Sequence, residues 1–100
     1  MRKVVMLPIA VKDLEDIVDY LVQFYESTAV QQYDRIVEKI RELAEFPEMY
    51  EVYHGGQFRQ VYRRMPVDKY LVFYVVHDEV IEIHRILHGS HDIHRYLDQK

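Results

Sequence analysis

The 100 residues include no cysteine. That removes any disulfide framework and any thiolate metal site, and makes a reducing cytoplasm the default compartment. Long apolar runs are missing too. The longest, Tyr70 to Val76, falls far short of the roughly 20 residues that a spanning helix needs. Met1-Arg2-Lys3 leads into Val4 to Ile9, but Pro8 cuts that run and no small-residue cleavage site follows, so no signal peptide is read. Repeats and low-complexity segments are absent as well.

What is present describes a globular chain. Hydrophobic residues make up 49% and charged residues 30%, which suits one folded domain over residues 1–100 and excludes a disordered chain. The net charge of −4 argues against a general nucleic-acid coat protein. Its distribution says more than its sum. Residues 1–56 hold six Lys/Arg against eleven Asp/Glu, while residues 57–100 hold seven against six and five of the six histidines. An anionic partner would therefore meet the C-terminal half.

Val4 to Ile9 is apolar and β-branched, and Pro8 suits the end of an edge strand. From Asp13 the period changes: Leu14, Ile17, Val18, Leu21 and Phe24 or Tyr25 mark one face of an α-helix. Ser27-Thr28 breaks it, and Thr28-x-x-Gln31 has the form of a capping box. A second helix carries Tyr33, Ile36, Val37, Ile40, Leu43 and Ala44 on one stripe and ends before Pro47. Residues 48–56 read as a loop in which Gly55-Gly56 permits positive φ. Three strands follow: Phe58 to Arg64, a central Lys69 to Val76 and its partner Val80 to Leu87. Their turns fall at Met65 to Asp68 and at His77 to Glu79. Strict alternation puts Ile81, Ile83 and Leu87 on one face of the last strand and Glu82, His84 and His88 on the other. His91 to Leu97 is a short tail with one helical turn. The expected class is α+β, in the order β-α-α-β-β-β, with a helical hairpin packed on a small, mainly antiparallel sheet.

Two segments carry a family resemblance. Tyr62 to Tyr74 reads Tyr-Arg-Arg-Met-Pro-Val-Asp-Lys-Tyr-Leu-Val-Phe-Tyr, and Ile83 to Ile93 reads Ile-His-Arg-Ile-Leu-His-Gly-Ser-His-Asp-Ile. Together they resemble the RelE/ParE toxin superfamily, over nearly the whole chain. The resemblance implies the toxin of a bacterial type II toxin–antitoxin pair, neutralised by a cognate antitoxin. Two branches differ in action. RelE-like toxins cleave mRNA in the ribosomal A site without metal, whereas ParE-like toxins poison DNA gyrase. In the first branch a basic residue follows the tyrosine that opens the central strand; here that position is Leu71, as in the ParE pattern. The branch also uses a basic residue past the C-terminal glycine, where His91 stands, and a nearby tyrosine, matched by Tyr96. The resemblance thus implies a ParE-like gyrase inhibitor, with a RelE-like endoribonuclease as the alternative and a remnant that only binds its antitoxin as a third reading.

Chemistry can be set beside that resemblance. Metal-free RNA cleavage needs a base, an acid and a cation for the developing phosphate charge. His84, His88 and His91 suit the first two roles, and Arg63 or Arg64 the third. The plainer reading is of half-exposed strand histidines bonded to backbone or carboxylates. Arg59, Lys69, Arg85, Arg95 and Tyr96 are candidates for binding a phosphate or a protein partner. A solubilising rim paired with Asp68 and Glu82 explains the cations near the turn equally well, and an Arg85–Asp92 ion pair is open beside it. His88-x-x-His91-x-x-His94 has metal-like spacing but no supporting carboxylate or cysteine, so neither a metal nor another cofactor is expected.

Overall fold

A computed structural model describes residues 1–97 of the chain. Pro8 is where its path first departs from the sequence reading. Strand β1 covers only Lys3–Met6, and Pro8 opens helix α1 (Pro8–Val22) instead of closing a strand. Proline has no N–H to donate and a φ already near the helical value, and both suit a first turn. Helix α2 (Glu26–Glu42) likewise starts earlier than its capping-box pattern suggests. Its N-cap is Tyr25, with no side-chain cap, and Thr28 lies within the helix. Three residues, 23–25, make the connection, so the pair forms a tight hairpin.

Strand β2 is Arg63–Val67, β3 is Tyr70–Val76 and β4 is Val80–His88. The expected turn at Met65 to Asp68 is mostly strand, with Met65 and Val67 buried and Pro66 exposed. β2 is an edge strand, where proline's missing donor is tolerated. The turn itself is Asp68-Lys69. Asp68 takes φ 56°, a left-handed conformation that aspartate accepts better than most side chains. The Arg35 Nε (2.8 Å) and Nη2 (3.2 Å) and the Gln32 amide (3.1 Å) donate to its carboxylate and tie the turn to α2. Arg35, then Gln32, hold that carboxyl below the usual range. Asp68 is therefore committed to α2 and not to the cations of β2.

The sheet runs β1-β4-β3-β2, with β1 parallel to β4 and the other two pairings antiparallel. The helical hairpin supplies the excursion that a parallel return requires. One sheet face packs on the helices through Ala10, Leu14, Ile36, Ile40, Met65, Val72, Tyr74, Ile81, Ile83 and Ile86. Tyr74 is wholly buried, and its hydroxyl donates to the Pro47 carbonyl at 2.9 Å. Burial pushes that phenol up to about 12.

The other face, which the helices do not reach, is not bare. Phe58, Tyr62 and Leu97, with Tyr53 and Ile93 beside them, fold over Phe73, Val75 and Leu87. Residues expected as the strand Phe58 to Arg64 thus become, up to Tyr62, an irregular cover. Gly55 and Gly56 have no positive φ. They serve by leaving room: a Cβ on either would collide with Tyr53 or His94.

One irregularity reorganises β4. Tyr74 pairs with Ile83 and Phe73 with Arg85, so His84 is an extra residue, a β-bulge. Each bulge inverts the alternation beyond it. Ile86 therefore joins Ile81 and Ile83 on the helical face, and Leu87 turns to the opposite one. His84 and His88, expected on a common face, are separated for the same reason.

Candidate functional site

Beyond the bulge, β4 runs to His88 and the chain reverses at Gly89-Ser90, then makes a short 3-10 turn, Ile93–Arg95. This end of the sheet lies beside α1. The two are joined by Arg85, whose Nε and Nη2 each donate to Asp13 at 2.8 Å, while the Ile86 N–H donates to the same carboxylate at 3.0 Å. Both side chains are nearly buried, at 14% and 12% exposed. A bidentate, backbone-supported pair of this kind locks helix to strand. Asp13 correspondingly raises the Arg85 guanidinium. The partner is Asp13 and not Asp92.

Between α1 and the C-terminal turn lies a cleft of about 530 Å³, lined in part by Asp13, Asp16, Tyr20, Tyr70, His88 and Tyr96. Local hydrogen bonds fix the histidines. The His88 N–H donates to His91 Nδ1 at 2.9 Å, and the Ser90 N–H donates to His88 Nδ1 at 3.1 Å. Each Nδ1 is thus an acceptor, and in this arrangement each ring carries its proton on Nε2. The Tyr70 ring stands edge-on to His88 at 5.6 Å, and Tyr96 lies 5.2 Å from His91.

The structure gathers four of the residues singled out from the sequence here: Arg85, His88, His91 and Tyr96. It separates the rest. His84 is buried on the opposite face, 5.3 Å from the Tyr62 ring, with its Nε2 3.2 Å from Glu82. His77 meets the same carboxylate at 2.8 Å, and the two imidazoles, His77 first, hold Glu82 below its usual range. Arg63 and Arg64 sit on β2, with β3 between them and β4. Arg63 donates to the Tyr50 carbonyl at 2.7 Å, and Arg64 lies over the Tyr53 ring at 5.6 Å. Arg59, Lys69 and Arg95 are exposed and do not line the cleft. His94 stacks near Phe58 at 5.9 Å, so the three-histidine spacing does not converge. Among the described residues no group of three metal-ligating side chains comes together.

Sequence reasoning missed the α1 wall of the cleft. Asp13, Ile17 and Tyr20 follow one another at four and three residues, which is one helical stripe. The heavier apolar stripe through Leu14 and Val18 hid it.

A solved chain described as "Chromosomal ParDE TA system from P. aeruginosa" is similar, with a TM-score of 0.70 and 20% identity over 88% of this chain and 96% of that one. At that identity the likeness concerns the fold, which is the helical hairpin on a four-stranded sheet of the RelE/ParE toxin superfamily. No curated protein matches the chain by sequence. The family model for the ParE toxin of the type II toxin-antitoxin system parDE matches residues 4–93. The chain belongs to that family: it is the toxin component of a type II toxin–antitoxin system, the counterpart of an antitoxin.

Proposed function

We propose that the chain is a ParE-like growth inhibitor that acts in the bacterial cytoplasm on DNA gyrase through protein contacts and is neutralised by a cognate antitoxin. The observation that carries the reading is Leu71. Where RelE-like relatives place a basic residue against the scissile phosphate, this chain has a leucine packed against the aromatic cluster of the helix-free face. The scatter of His84, Arg63 and Arg64 away from His88 and His91 supports it, since general acid–base catalysis needs its groups within hydrogen-bond reach of one reacting centre. For the antitoxin, the helix-free face is already covered by the chain's own residues. An apolar candidate is a groove of about 470 Å³ lined by Met6, Val11, Leu14, Val18, Tyr33 and Val37, suited to the apolar side of a partner segment.

The test is induced expression of the chain alone, with plasmid supercoiling and mRNA 5′ ends measured in the arrested cells. Relaxed plasmid or DNA breaks with intact mRNA are expected. Codon-phased mRNA ends with normal supercoiling would instead make the chain a ribonuclease and His88 and His91 its first candidates. Unimpaired growth would leave only antitoxin binding.

A further inference from the structure

The cleft between α1 and the C-terminal turn combines three tyrosines, Tyr20, Tyr70 and Tyr96, with the carboxylates of Asp13 and Asp16. We propose that it accepts a cationic side chain, arginine or lysine, presented by a protein partner. An aromatic face attracts a guanidinium or ammonium through its quadrupole, more strongly as water is excluded. The chain already makes this contact with itself here: the Arg85 guanidinium lies 5.1 Å from the Tyr96 ring centre while it pairs with Asp13.

A guest cation would find Asp16 at the rim. That side chain is 57% exposed, and its pairing with Lys12 of the same helix is also exposed. Such i,i+4 surface pairs contribute little and exchange readily. Tyr20 stands at the opening, 59% exposed, and Tyr70 is buried at 8%.

An anionic guest is a poorer match. The guanidinium of Arg85 is committed through Nε and Nη2 to Asp13 and through Nη1 to the Tyr96 carbonyl at 3.3 Å. His88 and His91 accept backbone N–H groups at Nδ1, which leaves an anion the Nε2–H of each ring and no free guanidinium or ammonium. A phosphate would thus meet the exposed carboxylate of Asp16 and no uncommitted arginine or lysine among the described lining residues. This proposal does not depend on the gyrase reading, since it concerns what the cleft recognises and not what the toxin inhibits.

The experiment is an NMR titration of the purified full chain, following tyrosine and histidine ring resonances. The probes are N-acetylarginine amide, N-acetylleucine amide, AMP and inorganic phosphate. Saturable shifts at Tyr20 and Tyr96 are expected with the arginine probe and not with the other three. Tyr20→Leu and Asp16→Asn, both at exposed positions, are expected to weaken that binding about 3- to 10-fold each with the amide spectrum otherwise preserved. The proposal is overturned if the arginine probe gives no saturable shift, or if both variants bind it like the parent. Equal binding of the leucine probe would reduce the cleft to an apolar depression. A response to AMP or phosphate in place of arginine would make it an anion site.

Discussion

The two faces of this sheet are covered by different means. On one side, a helical hairpin lays down aliphatic residues at regular spacing, so that Leu14, Ile36 and Ile40 meet Val72, Ile81 and Ile83. On the other, an irregular segment and a C-terminal turn close over the sheet with rings, Phe58 and Tyr62 against Phe73, and Phe58 edge-on to Tyr62 at 5.6 Å. Regular elements cover area through a repeated pattern. An irregular cover has no repeat to draw on and relies on a few large aromatic side chains, each burying more surface than an aliphatic one. The bulge at His84 connects the two modes, because it sends Ile86 to one face and Leu87 to the other.

If the irregular cover is a core and not a lid, Phe58→Ala will cost as much as a truncation under the helices. About 3–5 kcal/mol is expected in urea unfolding, beside about 2–5 kcal/mol for Ile36→Ala. A loss below about 0.5 kcal/mol for Phe58→Ala, a value typical of surface sites, would end the comparison between two cores. The next effect sharpens the seam between the faces. Arg85→Ala leaves the Asp13 carboxylate nearly buried beside α1 without its partner. About 3 kcal/mol of destabilisation is expected, with amide exchange accelerating first in α1 and around the bulge. Uniform exchange across the chain would show that the pair is not what holds helix to strand.

The smallest effect concerns the turn that ties β2 and β3 to α2. Asp68 has its carboxyl lowered by Arg35 and Gln32, so its pairing stabilises the fold above the ordinary aspartate range. That contribution disappears as pH falls through the lowered value. Asp68→Asn is therefore expected to lower stability slightly at neutral pH and to converge with the parent in acid, measured by thermal unfolding at several pH values. Asparagine tolerates the left-handed φ, so a deficit that persists in acid would point to the turn conformation and not to the ion pair.

Much of the helical side was legible in the residues. Ile36, Val37 and Ile40 recur at helical spacing, and Tyr70 to Val76 is apolar enough to be central, so element order and hairpin could be read directly. Boundaries were less legible. Pro8 fits a strand end and a helix start equally well by composition, and the decision lay in the tertiary position of β1 against β4. Thr28-x-x-Gln31 offered a cap that the helix, continued back to Glu26, did not use.

The candidate site was legible in half. His88, His91 and Tyr96 stand close in sequence, and the chain reversal after β4 keeps them close in space. His84 is just as near in sequence and ends on the other face, because one inserted residue inverts the alternation. No local pattern announces a bulge of that kind: it is a property of the pairing between β3 and β4. Arg85 and Asp13 are separated by 72 positions, and nothing in either neighbourhood names the other.

The class of fold, the family and the identity of the central strand follow from periodicities and motifs that lie within short stretches of chain. Which face each β4 residue takes, the cover formed by residues 57–62 and the wall that α1 gives the aromatic cleft are not written in any such stretch. Those outcomes depend on strand register and long-range contacts, which are settled by the packing of all the elements together and by no single one of them.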